Sequence, residues 1–179
     1  MYLNIVYYDQ YIIKNGENSL GEPGDLRDGV FVIVADNPAI LLVKHNYGEK
    51  LWSLPGGGVK QGEIVITAAK RELLEETGIE RVGENFKQIG LFTLMKRYGM
   101  VVLFQSLDWF GDPKADGKEI AECKFVSIDE INMLSEAGLI YPAQLNLITI
   151  FLKYRYHYTP IYGKLTNPPI IEFSEQQGE

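Results

Sequence analysis

The sequence predicts a mixed α/β fold, one sheet packed between helices, and three observations predict it. Strand-like runs lie on both sides of one central helical segment, that segment has helical apolar spacing, and the other helical segments come late in the chain.

In chain order, residues 2–14 are rich in Tyr, Ile and Val and read as one or two strands. The following Gly-, Asn-, Asp- and Pro-rich stretch reads as a loop. Residues 29–35 form a buried-strand run, and the polar turn Asp36-Asn37-Pro38 joins it to residues 39–45 as a hairpin. A short strand, LWSL, leads into Pro55 and three glycines. Residues 64–77 read as a helix with Ile66, Ala69 and Leu73 on one face, stopped by Gly78, with Ile79 folding back on Leu74. Residues 86–96 and 100–110 read as strands joined near Tyr98-Gly99, and 120–126 as another strand. Ser127 or Asp129 caps a short helix ending before Gly138, and a final helix covers 142–155. The expected organisation is an N-terminal strand/loop extension over 1–28, a domain over 29–158 and an irregular tail over 159–179.

With 179 residues, 46% hydrophobic and 23% charged, the chain can close a core of ordinary size. No apolar run approaches the roughly 20 residues that span a bilayer, and no signal peptide is expected. A lone cysteine, Cys123, excludes an internal disulfide and fits a reducing, cytoplasmic location. Its position in a strand-like stretch makes it a packed thiol rather than a nucleophile. A net charge of −7 argues against bare nucleic acid or an anionic membrane as partner. Bound cations would still allow such a protein to take phosphorylated small molecules.

Glu72, Glu75 and Glu76 stand at i, i+3 and i+4, on one side of the central helix and in its last turns. Like charges repel at this spacing, and the helix dipole there favours cations. A divalent cation would relieve both; three carboxylates offer the hard oxygen ligands that Mg²⁺ or Mn²⁺ takes. The alternative is a solvated acidic face. Upstream, Pro55-Gly56-Gly57-Gly58 and Gly62-Glu63 allow close backbone approach. This is neither a P-loop nor a dinucleotide fingerprint.

Together these residues resemble the Nudix box, G-x5-E-x7-R-E-U-x-E-E-x-G-U with U aliphatic, running here from Gly57 through Glu63, Arg71, Glu72, Leu73, Glu75, Glu76 and Gly78 to Ile79. Each of the nine specified positions is filled, across 23 of the 179 residues. The resemblance implies a MutT-like, Nudix-type α/β/α sandwich. It implies metal-dependent hydrolysis of a phosphoanhydride in a nucleoside diphosphate linked to another moiety. It also implies roles: Glu72, Glu75 and Glu76 bind the metal with the carbonyl of Gly57, while Arg71 orients the carboxylates, Glu72 or Glu63 especially. A further carboxylate from a later strand or loop falls on Glu119, with Glu122 the fallback. Glu72 is the first choice of general base.

One departure is Ile64 in the position after Glu63, often Ser or Thr in the family, which leaves the first helical turn without a side-chain cap. For the remainder of the substrate, Arg27, His45, Tyr47, Trp52, Lys96, Arg97 and Tyr98 are candidates, since an aromatic stacks a base and Lys or Arg meets phosphate. Each has a plainer reading as core or solvated loop. Markers of substrate subfamilies are weak: no proline lies between Pro55 and Pro113, and Tyr98 sits further from the box than a dinucleotide-polyphosphate reading requires. Tyr154, Tyr156 and Tyr158 alternate around Arg155 and His157 and read as a helix end or a homodimer contact. The competing readings are a non-catalytic Nudix-fold sensor of nucleotides or nucleotide sugars, an isoprenoid-diphosphate isomerase, and a structural acidic protein. The first typically loses box carboxylates that this chain keeps, and the second needs Cys chemistry that Cys123 is poorly placed to supply.

Overall fold

The computed structural model describes residues 28–36, 38–82, 86–94, 99–154 and 161–165. Of the extension expected over residues 1–28, residues 1–27 lie outside the described residues.

A continuous apolar run along β1 (Gly29–Asp36) sets the architecture. Val30, Val32 and Val34 face one core cluster, and Phe31 and Ile33 the opposite one. A strand buried on both faces needs a helical layer on each. The β1 edge is shared. It pairs antiparallel with β2 (Ala39–His45) only at Asp36↔Ala39 and Ala35↔Ile40, and the two strands then diverge. The opening is filled by residues 52–58. There β3 (Trp52–Ser53) pairs with β2, and β4 (Gly56–Gly58) pairs with the start of β1. Between them the Val32 N–H donates to the Pro55 carbonyl at 2.9 Å.

α1 (Val65–Thr77) follows, then β5 (Arg81–Val82), β6 (Lys87–Leu94), β7 (Met100–Ser106), β8 (Trp109–Phe110) and β9 (Ile120–Ser127). α2 (Ile128–Glu136), α3 (Pro142–Tyr154) and β10 (Ile161–Leu165) complete the described elements. The main sheet runs β10-β6-β7-β1-β2-β3, with β9 on the far side of β2, and mixes parallel β1/β7 and β10/β6 pairs with antiparallel ones. Ala68, Ala69 and Leu73 of α1 cover one face, and Ile131 of α2 with Leu147, Ile148, Ile150 and Phe151 of α3 cover the other. The result is the expected α/β/α sandwich. Among the described residues no helix is long and apolar enough to cross a membrane.

The structure departs from the sequence reading in four places. The stretch 100–110 is two strands, because β8 leaves the main sheet to pair with β5. The presumed irregular tail contains β10, which takes the free edge of β6 in parallel register. Ile66 is exposed; the inward face of α1 is Ala68, Ala69, Leu73, Glu76 and Thr77. Ile79 joins the cluster that contains Leu73, whereas Leu74 is exposed. As expected, Gly78 closes α1 in the left-handed conformation, its N–H donating to the Leu74 carbonyl, and Ile64 supplies no side-chain cap.

Ser127 caps α2 in a reciprocal box with Glu130. Its hydroxyl accepts from the Glu130 N–H at 3.2 Å, and the Glu130 carboxylate accepts from the Ser127 N–H at 3.0 Å. Ser127→Ala is expected to cost about 1 kcal/mol, read as a lower urea midpoint at unchanged slope.

Candidate active site

The last turns of α1 lie against β4, and the contact is carboxylate on glycine. The Gly56 N–H donates to Glu76 Oε2 at 2.8 Å. A Cβ on Gly56 would stand 2.1 Å from the Val30 carbonyl oxygen, and one on Gly57 would stand 2.7 Å from both Cδ and Oε1 of Glu72. The glycines are thus required by the close approach of the β1 backbone and of the Glu72 carboxylate. Gly57→Ala is expected to push Glu72 aside and lower turnover by about 100-fold, the effect of a misplacement near 1 Å, with a wild-type melting temperature. Unchanged turnover would show that the Glu72 position is immaterial.

Arg71 is the hub of the cluster. Its Nε and Nη2 donate to the two oxygens of Glu63, each at 2.9 Å, a bidentate pair. Nη1 donates to Glu72 Oε1 at 2.7 Å and to Glu75 Oε2 at 3.0 Å, and Nη2 reaches the Gly58 carbonyl at 3.1 Å. The guanidinium therefore ties α1 to the glycine strand and holds three glutamates. The hydrogen bond from Arg71 and then that from the Lys60 N–H hold the Glu63 carboxyl down to about 2. The same partners, Glu63 first, raise Arg71 above its ordinary value.

The other carboxylates go the opposite way. Glu76 is only 6% exposed. Burial pushes it up to about 8 despite the Gly56 N–H, and the charges of Glu72, Glu119 and Asp116 add to the rise. Burial also raises Glu72, against the pull of Arg71. Cys123 is driven up to about 12 by burial and by the Glu76 charge, so it is an inert thiol.

Glu72 and Glu75 thus meet at one guanidinium nitrogen, and the charges of Glu72 and Glu119 both bear on Glu76. The three helix glutamates do not diverge to different surfaces. Among the described residues no three of them close on one point as a ready-made metal cage. A nearly buried carboxylate, Glu76, sits among three other acids, an arrangement that a bound divalent cation would stabilise. The oxygen-only donors of these carboxylates suit a hard divalent ion.

Glu122, the fallback, is excluded from this cluster. Its side chain pairs with Lys44 at 2.9 Å, across from it on β2. Lys44 in turn lies over the Trp52 ring, on the α2/α3 side of the sheet. Trp52 is likewise not brought to the glutamates. It is 5% exposed, packed in that opposite core beneath Lys44 and Lys124, because β3 seats it in the opening beside β2. His45 bonds Ser53 at 2.8 Å and is lowered by burial, with Glu119 opposing; Tyr47 meets the His45 ring edge-on. Arg27, Lys96, Arg97 and Tyr98 lie outside the described residues, as does the tyrosine-rich segment 155–160. Sequence reasoning did not single out Asp116 or Asn46, which hold the loop carrying Glu119; the Asp116-Gly117 turn was the one available signal.

A sheet between helical layers, with an Arg-centred acid cluster on a glycine strand, defines a Nudix-type domain. A family model for the NUDIX domain matches residues 25–147, and the chain belongs to the Nudix family. Members of this family generally need a divalent metal. The chain is 42% identical over 100 residues to a Bacillus subtilis (strain 168) protein provisionally named an 8-oxo-dGTP diphosphatase, covering 55% of this chain and 65% of the relative. It is 42% identical over 59 residues to an RNA pyrophosphohydrolase of Pelagibacter ubique, covering 32% of this chain and 37% of the relative. The chain therefore spans less than two thirds of the length of these curated relatives. Among solved structures, it resembles a bifunctional NMN adenylyltransferase/ADP ribose pyrophosphatase of Francisella tularensis complexed with AMP and Mn ion. The TM-score is 0.57 at 26% identity, covering 72% of this chain and 41% of that one. A NUDIX hydrolase from Nitrosomonas europaea, 22% identical, shares the fold with a TM-score of 0.59 over 78% of this chain and 77% of that one.

Proposed function

We propose that this protein is a divalent-metal-dependent pyrophosphohydrolase acting on a free nucleotide with a phosphoanhydride bond, such as a nucleoside triphosphate or a nucleoside diphosphate joined to another group. The observation that carries the reading is the arrangement of Glu63, Glu72 and Glu75 around Arg71, with Glu76 buried against Gly56. A cluster that keeps every box carboxylate, two of them with raised pKa, suits catalysis rather than silent binding.

Glu72, Glu75, Glu76, Glu119 and the Gly57 carbonyl would hold Mg²⁺ or Mn²⁺; the Francisella neighbour, with Mn and AMP, supports such an ion. When bound, the ion supplies positive charge to phosphate oxygens and makes a neighbouring water more acidic. The water oxygen bonds to phosphorus as the phosphorus–oxygen anhydride bond breaks, and Glu72 takes the water proton. Its raised pKa makes it a better base than an ordinary carboxylate. Arg71 and Glu63 keep Glu72 aimed, and Gly57 leaves it room.

The net charge of −7 favours a small nucleotide over an RNA chain, although RNA pyrophosphohydrolases are among the relatives. The test is a panel of 8-oxo-dGTP, unmodified triphosphates, ADP-ribose, NADH, nucleotide sugars, dinucleoside polyphosphates and 5′-triphosphorylated RNA, each with Mg²⁺ and with Mn²⁺. Metal-dependent release of a nucleoside monophosphate supports the reading. Absence of turnover across the panel, with Mn²⁺ and nucleotide shown to bind, would replace it with a sensor. A cytoplasmic location and a homodimer remain part of the proposal.

A further inference from the structure

Glu119 is exposed and sits one residue ahead of β9, yet both of its backbone polar groups are tied down. Its N–H donates to Asp116 Oδ2 at 3.3 Å, and its carbonyl accepts from the Asn46 N–H at 2.8 Å. Asp116 Oδ1 also accepts from the Lys118 N–H at 3.0 Å and the Ile120 N–H at 2.9 Å. From the end of β2, Asn46 Nδ2 donates to the carbonyls of Gly117 at 3.4 Å and Lys118 at 3.2 Å. Gly117, at φ +73°, supplies the reversal that lets one carboxylate collect the three N–H groups. Just beyond, the β2/β9 register goes from Lys44↔Glu122 to His45↔Ile120, skipping Ala121, a bulge that re-aims the strand start.

The clamp seats the buried Ile120 at the start of β9, but Asn46, Asp116 and Glu119 are themselves exposed. What the loop carries, where β9 meets α1, is two carboxylates, Glu119 and Asp116, whose charges both bear on the buried Glu76; only Glu119 has its carboxylate free of backbone donors of the loop. We propose that Asp116, seconded by Asn46, is a positioning residue that clamps the Glu119 backbone so that its carboxylate is presented to the divalent ion held by the α1 glutamates. The proposal rests on the functional reading above, in which Glu119 helps to hold that ion. Both Asp116 oxygens are engaged by backbone donors, which keeps its carboxyl below the usual range and directs it to the loop.

Asparagine at 116 keeps an oxygen for the two shorter bonds, to Lys118 and Ile120, but removes the charge; alanine removes both. Mn²⁺ titrations of the full chain are read by calorimetry or spin resonance, and amide exchange at 118–120 is read on the metal-free protein. Glu119→Gln should weaken Mn²⁺ binding by about 10-fold, and Asp116→Ala by a similar factor, with faster exchange at 118–120. Asp116→Asn should stay within about threefold of wild type, as expected for loss of an exposed, screened charge. Asp116→Ala added to Glu119→Gln should produce no further loss. Asp116→Asn as damaging as Asp116→Ala would make Asp116 a ligand or a field charge and overturn the proposal. So would a further loss in the double variant, or Asp116→Ala at wild-type affinity while Glu119→Gln is weakened; these outcomes leave the functional reading standing. A wild-type chain that takes up no Mn²⁺ fails the functional reading, and the proposal falls with it. Glu119→Gln binding like wild type removes Glu119 from the ion and overturns the proposal too.

Discussion

Glu72→Gln is expected to lower kcat by about 10²–10⁴-fold, the range for loss of a positioned general base, while leaving the melting temperature within a degree or two. The asymmetry follows from what the amide keeps. A glutamine oxygen still accepts from Arg71 Nη1, so the hub joining Glu63, Glu72, Glu75 and Gly58 stays connected. It still fits the space that Gly57 leaves. What disappears is the ability to take a proton and one unit of negative charge. Burial has raised this carboxyl in spite of Arg71 beside it, so it holds a proton more firmly than an exposed glutamate does. Steady-state turnover with the best substrate of the panel, alongside thermal unfolding, decides the matter. Near-normal turnover would remove Glu72 from the chemistry; a collapsed melting curve would make it a structural residue.

The same helix shows what the sequence exposes and what it conceals. The spacing of Arg71, Glu72, Glu75 and Glu76 and the stop at Gly78 are local, so α1 and its acidic end are legible in the sequence. The face it buries is not. Counting apolar letters puts Ile66 inside, whereas the inward stripe includes Glu76, because its carboxylate turns in to accept from the Gly56 N–H of β4. A reading that treats every glutamate as outward cannot find that stripe. Trp52 shows the converse error: an aromatic beside the glycines invites a stacking role, yet β3 seats it on the opposite face. β10 and the β5/β8 pair were missed because their partners are distant in sequence, and two-residue strands carry no periodicity. The Asp116 clamp is likewise a set of backbone hydrogen bonds, which residue letters alone do not specify.

Glu76 gives the second large effect, through pH. Its folded-state pKa is raised from 4.5 to about 8, so between these values the folded chain holds a proton that the unfolded chain releases. Stability of the metal-free protein must therefore fall as pH climbs through that window, with a limiting slope of about 1.4 kcal/mol per pH unit for one proton, and flatten above it. Glu72, also raised, adds in the same direction. Glu63, Asp116 and Glu130 are lowered, and their contributions are complete once pH exceeds their unfolded values, below the window or at its edge. His45 opposes the trend: buried neutral, it favours folding as pH rises toward 6.5. The clean observable is thus the difference between wild type and Glu76→Gln, in which His45 is common to both. Melting temperatures in chelator from pH 5 to 9 should decline more steeply in wild type than in the variant. A divalent ion binds the deprotonated carboxylate, so Mg²⁺ or Mn²⁺ uptake below pH 8 should release up to one proton, tighten with pH and level off beyond about 8. Parallel melting profiles for the two proteins, or ion uptake with no proton released at pH 6.5, would mean that Glu76 is ionised before the metal arrives and that its burial beside Gly56 serves the fold alone.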